Sequence, residues 1–116
     1  MKPEICNLWE AALSHYRSID GLLKDKKFEE AEKVAGQAWA SGCLAIFKLS
    51  EELKIPELSE IARNAFSEWY ERFLNGYEKK GFPEKHYTLK EKIEWYCRTL
   101  KRLSELCPPD TFPPLS

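Results

Sequence analysis

Between Lys33 and Lys48 the chain runs for 14 residues, Val34 to Phe47, without a charge. Within this stretch, apolar side chains fall on almost every side of a helix. One stripe, extended in both directions, reads Phe28, Ala31, Ala35, Ala38, Gly42, Ala45, Leu49 and Leu53. A second reads Val34, Trp39, Cys43, Ile46 and Phe47. A helix that is apolar nearly all round has to be surrounded by other elements. Its Gly36, Gln37, Ser41 and Gly42 make it too short and too polar to span a bilayer. The constraint is therefore a central, buried helix with at least two others packed around it. Its Ala and Gly positions let a neighbouring backbone come close, and Gly36 and Gly42 are candidate points for a bend or break.

The rest of the chain supplies those partners. The sequence holds 16 Glu, 14 Leu and 9 Ala against one Val and three Thr, a composition that favours helix over strand. Pro3 opens a first helix predicted to run to Lys24, with Ile5, Leu8, Trp9, Ala12, Tyr16, Ile19 and Leu23 on one face. The central helix is expected from about Lys26 to Lys54, with Asp25 as its N-cap. Ile55-Pro56 ends it, because a residue before proline avoids the helical region. A third helix follows from Pro56 to about Lys79, striped by Leu58, Ile61, Ala62, Ala65, Phe66, Trp69, Phe73 and Tyr77. Thr88-Leu89-Lys90-Glu91 is a capping box that opens a fourth, with Leu89, Ile93, Tyr96, Leu100, Leu103 and Cys107 on its seam. Pro108-Pro109 stops it. The expected fold is all-α: an antiparallel four-helix bundle over 1–107, followed by an extended Pro-rich tail over 108–116. The alternative is two stacked helical hairpins, as in a solenoid fragment.

Catalytic chemistry is sparse. The two histidines, His15 and His86, read as a helix-face residue and a loop residue. No Gly-rich phosphate loop, His-Glu-x-x-His or Gly-x-Ser-x-Gly motif is present. The carboxylate pairs Glu29-Glu30, Glu51-Glu52 and Glu57/Glu60 lack the Glu-x-x-His partners of a di-metal bundle site. Cys6, Cys43, Cys97 and Cys107 contain no Cys-x-x-Cys pair, which argues against structural zinc. They read as three small helix-face hydrophobes and one tail thiol. No catalytic residue, metal or cofactor is assigned. Without an apolar signal core at Met1-Lys2-Pro3-Glu4, a cytoplasmic location without membrane contact is expected.

Charge is unevenly distributed. Residues 1–71 carry 9 basic and 13 acidic side chains, and residues 72–105 carry 9 basic and 5 acidic. The basic segment offers Lys79, Lys80, Lys85, His86, Lys90, Arg98, Lys101 and Arg102 as a candidate nucleic-acid face, with Tyr77, Phe82, Tyr87 and Trp95 interleaved as stacking surfaces. An ordinary solvated helix face accounts for the same pattern, and the Lys90/Glu94 spacing fits it. Trp9, Trp39, Trp69 and Trp95 are more indole than one narrow core easily holds, which points to some of them at a homodimer interface; simple core filling accounts for them equally well.

The run Lys27-Phe28-Glu29-Glu30-Ala31, followed by Ala35, Ala38, Trp39, Ala45 and Leu49, resembles the centre of the HEPN-like helical bundles. Tetratricopeptide repeats share its Phe-x-x-Ala entry. The HEPN-like resemblance covers about 30 residues. It implies a dimeric bundle and, in the RNA-cutting members, an Arg followed after four to six residues by His. Here Lys79, Lys80 and Gly81 precede His86, and Leu8, Trp9 and Glu10 precede His15, so the nuclease site does not carry over. The expectation is a non-enzymatic helical binding or assembly module, homodimeric and acting on a protein partner. The alternative is an RNA-binding or atypical RNase component of a toxin–antitoxin or defence system.

Overall fold

The computed structural model describes residues 2–75, 88–107, 111–113 and 115. The described residues form an all-α fold with no strand. Helix α1 spans Pro3–Lys24, α2 Phe28–Leu53, α3 Pro56–Trp69 and α4 Leu89–Leu106. A π-helical turn, Tyr70–Asn75, follows α3 directly. The predicted extension of α3 to Lys79 lies partly in this turn, and its last residues fall outside those described.

The α1–α2 turn corrects the expected start of α2. Asp25 does not cap α2; it closes α1. The Lys27 N–H donates to the Leu22 carbonyl at 2.9 Å and the Lys26 N–H to the Leu23 carbonyl at 3.1 Å. This is the paired closure of a helix by a left-handed residue, and Lys26 supplies it at φ 59°. Those bonds keep Lys26 out of α2, which begins at Phe28 with Glu29 and Glu30 in its positive first turn. The C-terminus of α2 repeats the device: Lys54 is left-handed at φ 57°, and the Ile55 N–H reaches the Ser50 carbonyl. Buried Ser50 also donates its hydroxyl to the Ile55 carbonyl at 2.8 Å, fixing the entry to Pro56. At α4 the Thr88 hydroxyl accepts the Glu91 N–H at 3.1 Å, as the capping sequence predicts.

Of the bend or break that Gly36 and Gly42 could allow, the break does not occur; α2 is one continuous helix of 26 residues. Its glycines serve packing instead. A side chain at Gly42 would overlap Cδ1 of Leu100. The expected burial is also met: Ala31, Ala35, Ala38, Cys43, Ala45, Ile46 and Leu49 are all buried.

The helices run up, down, up and down. Glu4 pairs with Lys48 at 2.8 Å, so α1 and α2 are antiparallel. Glu32 pairs with Lys92 and Gly36 lies by Tyr96, so α2 and α4 are parallel. In a square bundle, parallel helices sit on a diagonal and stay apart. Here the small residues of α2 draw α4 in, and α2 packs against each of the other three, while the α3 and α4 backbones stay further apart and meet through side chains. The molecule is accordingly flat, 43 × 34 × 19 Å.

The tail residues described pack on α1. The Phe112 ring stacks on Trp9 at 4.3 Å, and the Trp9 indole N–H donates to the Pro113 carbonyl at 3.0 Å. Leu115 is buried in the same core.

Candidate functional site

Of the two readings of the tryptophans, the packing favours core filling for three of the four. Trp9, Trp39 and Trp95 are buried, and only Trp69 is half-exposed. The flat arrangement allows this, because rings from α2, α3 and α4 meet at one edge instead of along a narrow axis. Trp39 is the hub: its ring lies 4.9 Å from Phe66, 5.5 Å from Trp95, 5.6 Å from Tyr96 and 5.9 Å from Trp69 between centroids. Phe73 closes the cluster against Trp95 and Tyr96.

Two of the indoles are held by hydrogen bonds. The Trp69 N–H donates to the Tyr96 hydroxyl at 2.8 Å and the Trp95 N–H to Glu68 Oε1 at 3.2 Å. The Trp39 N–H is buried and has no hydrogen-bond partner among the described residues. Burial pushes the Tyr96 phenol above its ordinary pKa, with the Trp69 bond opposing.

This cluster forms the floor of an open groove of about 650 Å³ between α2, α3 and α4. Gly36 and Ala40, one turn apart on α2, leave it uncovered; Phe66 and Trp69 come from α3 and Tyr96 from α4. Glu29, Glu32, Lys33 and Gln37 form its rim. Lys92 bridges the rim and the cluster, 2.8 Å from Glu32 and 5.4 Å above the Phe73 ring centre. Phe66 in the groove is 37% exposed, and Leu44 of α2 and Tyr70 of the π-helical turn, outside the lining, are 44% and 46% exposed. The sequence reading assigned Phe66 and Trp69 to the core stripe of α3. The signal for a groove was present in Gly36 and Ala40, whose small side chains leave the edge of α2 bare beside Trp39.

The candidate nucleic-acid residues divide in two. Lys79, Lys80, Lys85 and His86 lie outside the described residues. Lys90, Arg98, Lys101 and Arg102 are all exposed on α4. Arg98 shares a cleft of about 270 Å³ with Arg72, Phe73, Glu91 and Glu94. Arg102 shares another, of about 170 Å³, with residues that include Ile61, Asn64 and Glu68. Of the aromatics proposed to stack on bases, Trp95 is 2% exposed and committed to Glu68, so it cannot. Tyr77, Phe82 and Tyr87 lie outside the described residues.

His15 is half-buried, and its carbonyl accepts the Ser18 hydroxyl at 2.8 Å. Among the described residues no cluster of His, Cys, Asp or Glu could hold a metal ion. Cys107, on the predicted seam of α4, is buried and donates to the Leu103 carbonyl; the exposed thiol is Cys6. Burial pushes Cys43 up to about 12 and Cys97 and Cys107 up to about 11. Thiols this hard to ionise are poor nucleophiles. Among the described residues no helix is long and apolar enough to cross a membrane. Compared with known proteins, the chain matches no family model, no curated protein and no solved structure.

Proposed function

We propose that this protein is a non-enzymatic helical binding module that works through the α2–α3 face and assembles there as a homodimer. The observation that carries the reading is the exposed apolar surface at the α2–α3 edge: Ala40 of α2 and Phe66 of α3 line the open groove, and Leu44 of α2 and Tyr70 of the π-helical turn, each four residues further along the chain, are exposed as well. Exposed aromatic and aliphatic side chains grouped on one face are what buried interface cores are made of. The test is light scattering across a concentration series. Wild type is expected to run as a dimer and the Leu44→Glu variant as a monomer of unchanged helicity. A wild type that stays monomeric at the highest concentration overturns the dimer.

A second reading is RNA binding through α4, supported by the exposure of Lys90, Arg98, Lys101 and Arg102 on one helix. If about four phosphates are contacted, affinity for a single strand falls with a log–log salt slope near −3. Fluorescence anisotropy on single-stranded RNA, comparing wild type with the Lys101→Glu, Arg102→Glu double variant, decides it. No binding by the wild type at low salt ends this reading.

A further inference from the structure

We propose that the surface of α1 around Trp9 is a recognition site for an extended polypeptide segment of the pattern Phe-Pro-x-Leu. The chain's own residues 112–115 are its resident occupant, and a partner protein carrying the pattern binds by displacing them. The proposal involves no residue of the α2–α3 face and does not rest on dimerisation there.

The resident segment shows what the site takes. The Phe112 ring stacks on Trp9 with centroids 4.3 Å apart and planes 19° apart. The Trp9 indole N–H donates to the Pro113 carbonyl at 3.0 Å. Leu115 is buried in the core, whereas Pro113, between the two apolar side chains, is exposed. Two inward apolar side chains three residues apart match one turn of a polyproline II helix. Aromatic-lined grooves take proline-containing segments of this kind, because proline fixes the backbone beforehand and less entropy is lost on docking.

The receiving side does not depend on the segment for its shape. Trp9 stands within α1, and the edge of its ring away from the nitrogen is set in the core: a Cβ added at Gly42 would lie 3.5 Å from its Cζ3. The indole N–H therefore keeps its direction when the segment leaves. The segment itself, as described at 111–113 and 115, belongs to no helix or strand. Its departure breaks no helical hydrogen-bond ladder; it gives up a ring contact, the indole bond and one buried leucine. Elements held this way open without the helices unfolding. Tethered to α4 through residues 108–110, the segment presents itself at an effective concentration on the order of millimolar, so a free peptide competes poorly with it in the wild type.

The experiment is NMR on the full chain, and its first arm needs no variant. In deuterium exchange of the wild type, protection of the Trp9 indole N–H should be at least about tenfold lower than that of the Ile46 amide in α2. Equal protection means that the segment opens only with the whole fold and overturns the proposal. The second arm uses Phe112→Ala, which weakens the occupant and leaves the site intact. The probe is the peptide Asp-Thr-Phe-Pro-Pro-Leu-Ser, the sequence of residues 110–116. It should return the Trp9 indole resonance of Phe112→Ala toward its wild-type position, and bind this variant at least about tenfold more tightly than wild type. The peptide with its Phe replaced by Ala should bind at least about tenfold more weakly. A Trp9 resonance that millimolar peptide leaves unmoved in the folded variant overturns the site. Equal binding of a peptide with both prolines replaced by Ala overturns the extended-segment assignment. A wild-type dimer that Phe112→Ala converts to monomer assigns the segment to a second copy and overturns the partner. Leu44→Glu should leave peptide binding unchanged, so this site and the α2–α3 face fail separately.

Discussion

The terminal methyl of Leu100 on α4 occupies the space that a side chain at Gly42 of α2 would need. Leu100 is itself buried, as is Trp9, whose ring would lie 3.5 Å from a Cβ added at the same glycine. This contact holds two parallel helices together where a square bundle would separate them. The Gly42→Ala variant should therefore lose about 2 kcal/mol, because overpacking outweighs the gain in helix propensity. Leu100→Ala alone should cost about 3 kcal/mol through the cavity it leaves. The double variant should cost less than the sum, since the new methyl enters the vacated space. Gly36→Ala, whose added Cβ meets Tyr96 at an ordinary 3.5 Å, should instead gain about 1 kcal/mol. Urea denaturation of the four proteins checks all these values.

Lys26 and Lys54 both adopt left-handed backbone to close helices, a conformation that costs a side-chain-bearing residue about 1 kcal/mol. Glycine adopts it freely, and these positions are where helices ordinarily place it. Lys26→Gly and Lys54→Gly are each expected to stabilise the fold by about 1 kcal/mol. The two sites are at opposite ends of α2, so their effects should add. A rise in thermal midpoint for each, and a doubled rise for the pair, is the measurement.

Two buried indoles, Trp9 and Trp39, differ in one respect. Trp9 donates to the Pro113 carbonyl, whereas the Trp39 N–H has no partner among the described residues. A buried donor left unpaired costs about 1–3 kcal/mol. Trp39→Phe removes that donor along with some volume; Trp9→Phe removes a made bond and strands a carbonyl. Trp39→Phe should therefore be the milder substitution by at least about 1 kcal/mol in chemical denaturation.

Three thiols are protected by burial, with Cys43 pushed up to about 12 and Cys97 and Cys107 to about 11. Native protein should show one thiol, Cys6, reacting fast with a disulfide reagent and three slow ones; in denaturant all four react fast. The same shifts predict loss of stability at high pH. Below the thiols' ordinary value of 9.0, folded and unfolded chains both hold these protons and stability is complete. Above it the unfolded chain ionises while the folded chain cannot follow until pH 11 to 12. Each such thiol then removes about 1.4 kcal/mol per pH unit. Urea midpoints should fall above pH 9, and Cys43→Ala should reduce the slope.

Sequence alone determined the helices, because their signals are local. The uncharged Val34–Phe47 run, the Ile55-Pro56 break and the Thr88 cap each act within a few residues, and all appear in the structure where the sequence places them. The central position of α2 was legible for the same reason, since a helix apolar on most sides must be surrounded. Tertiary structure decided what no local rule encodes. Lys26 became a left-handed closure in place of helix because the backbone bonds of the turn required it. The tryptophans became a shared core because Gly42 let α4 approach α2 and flattened the bundle. The groove exists only because Gly36, Phe66 and Tyr96, far apart in sequence, meet at one edge of that flat fold. Periodicity tells which face of a helix is apolar. Which part of that face stays uncovered depends on how closely the neighbouring backbones approach, and that is set by packing across the whole molecule.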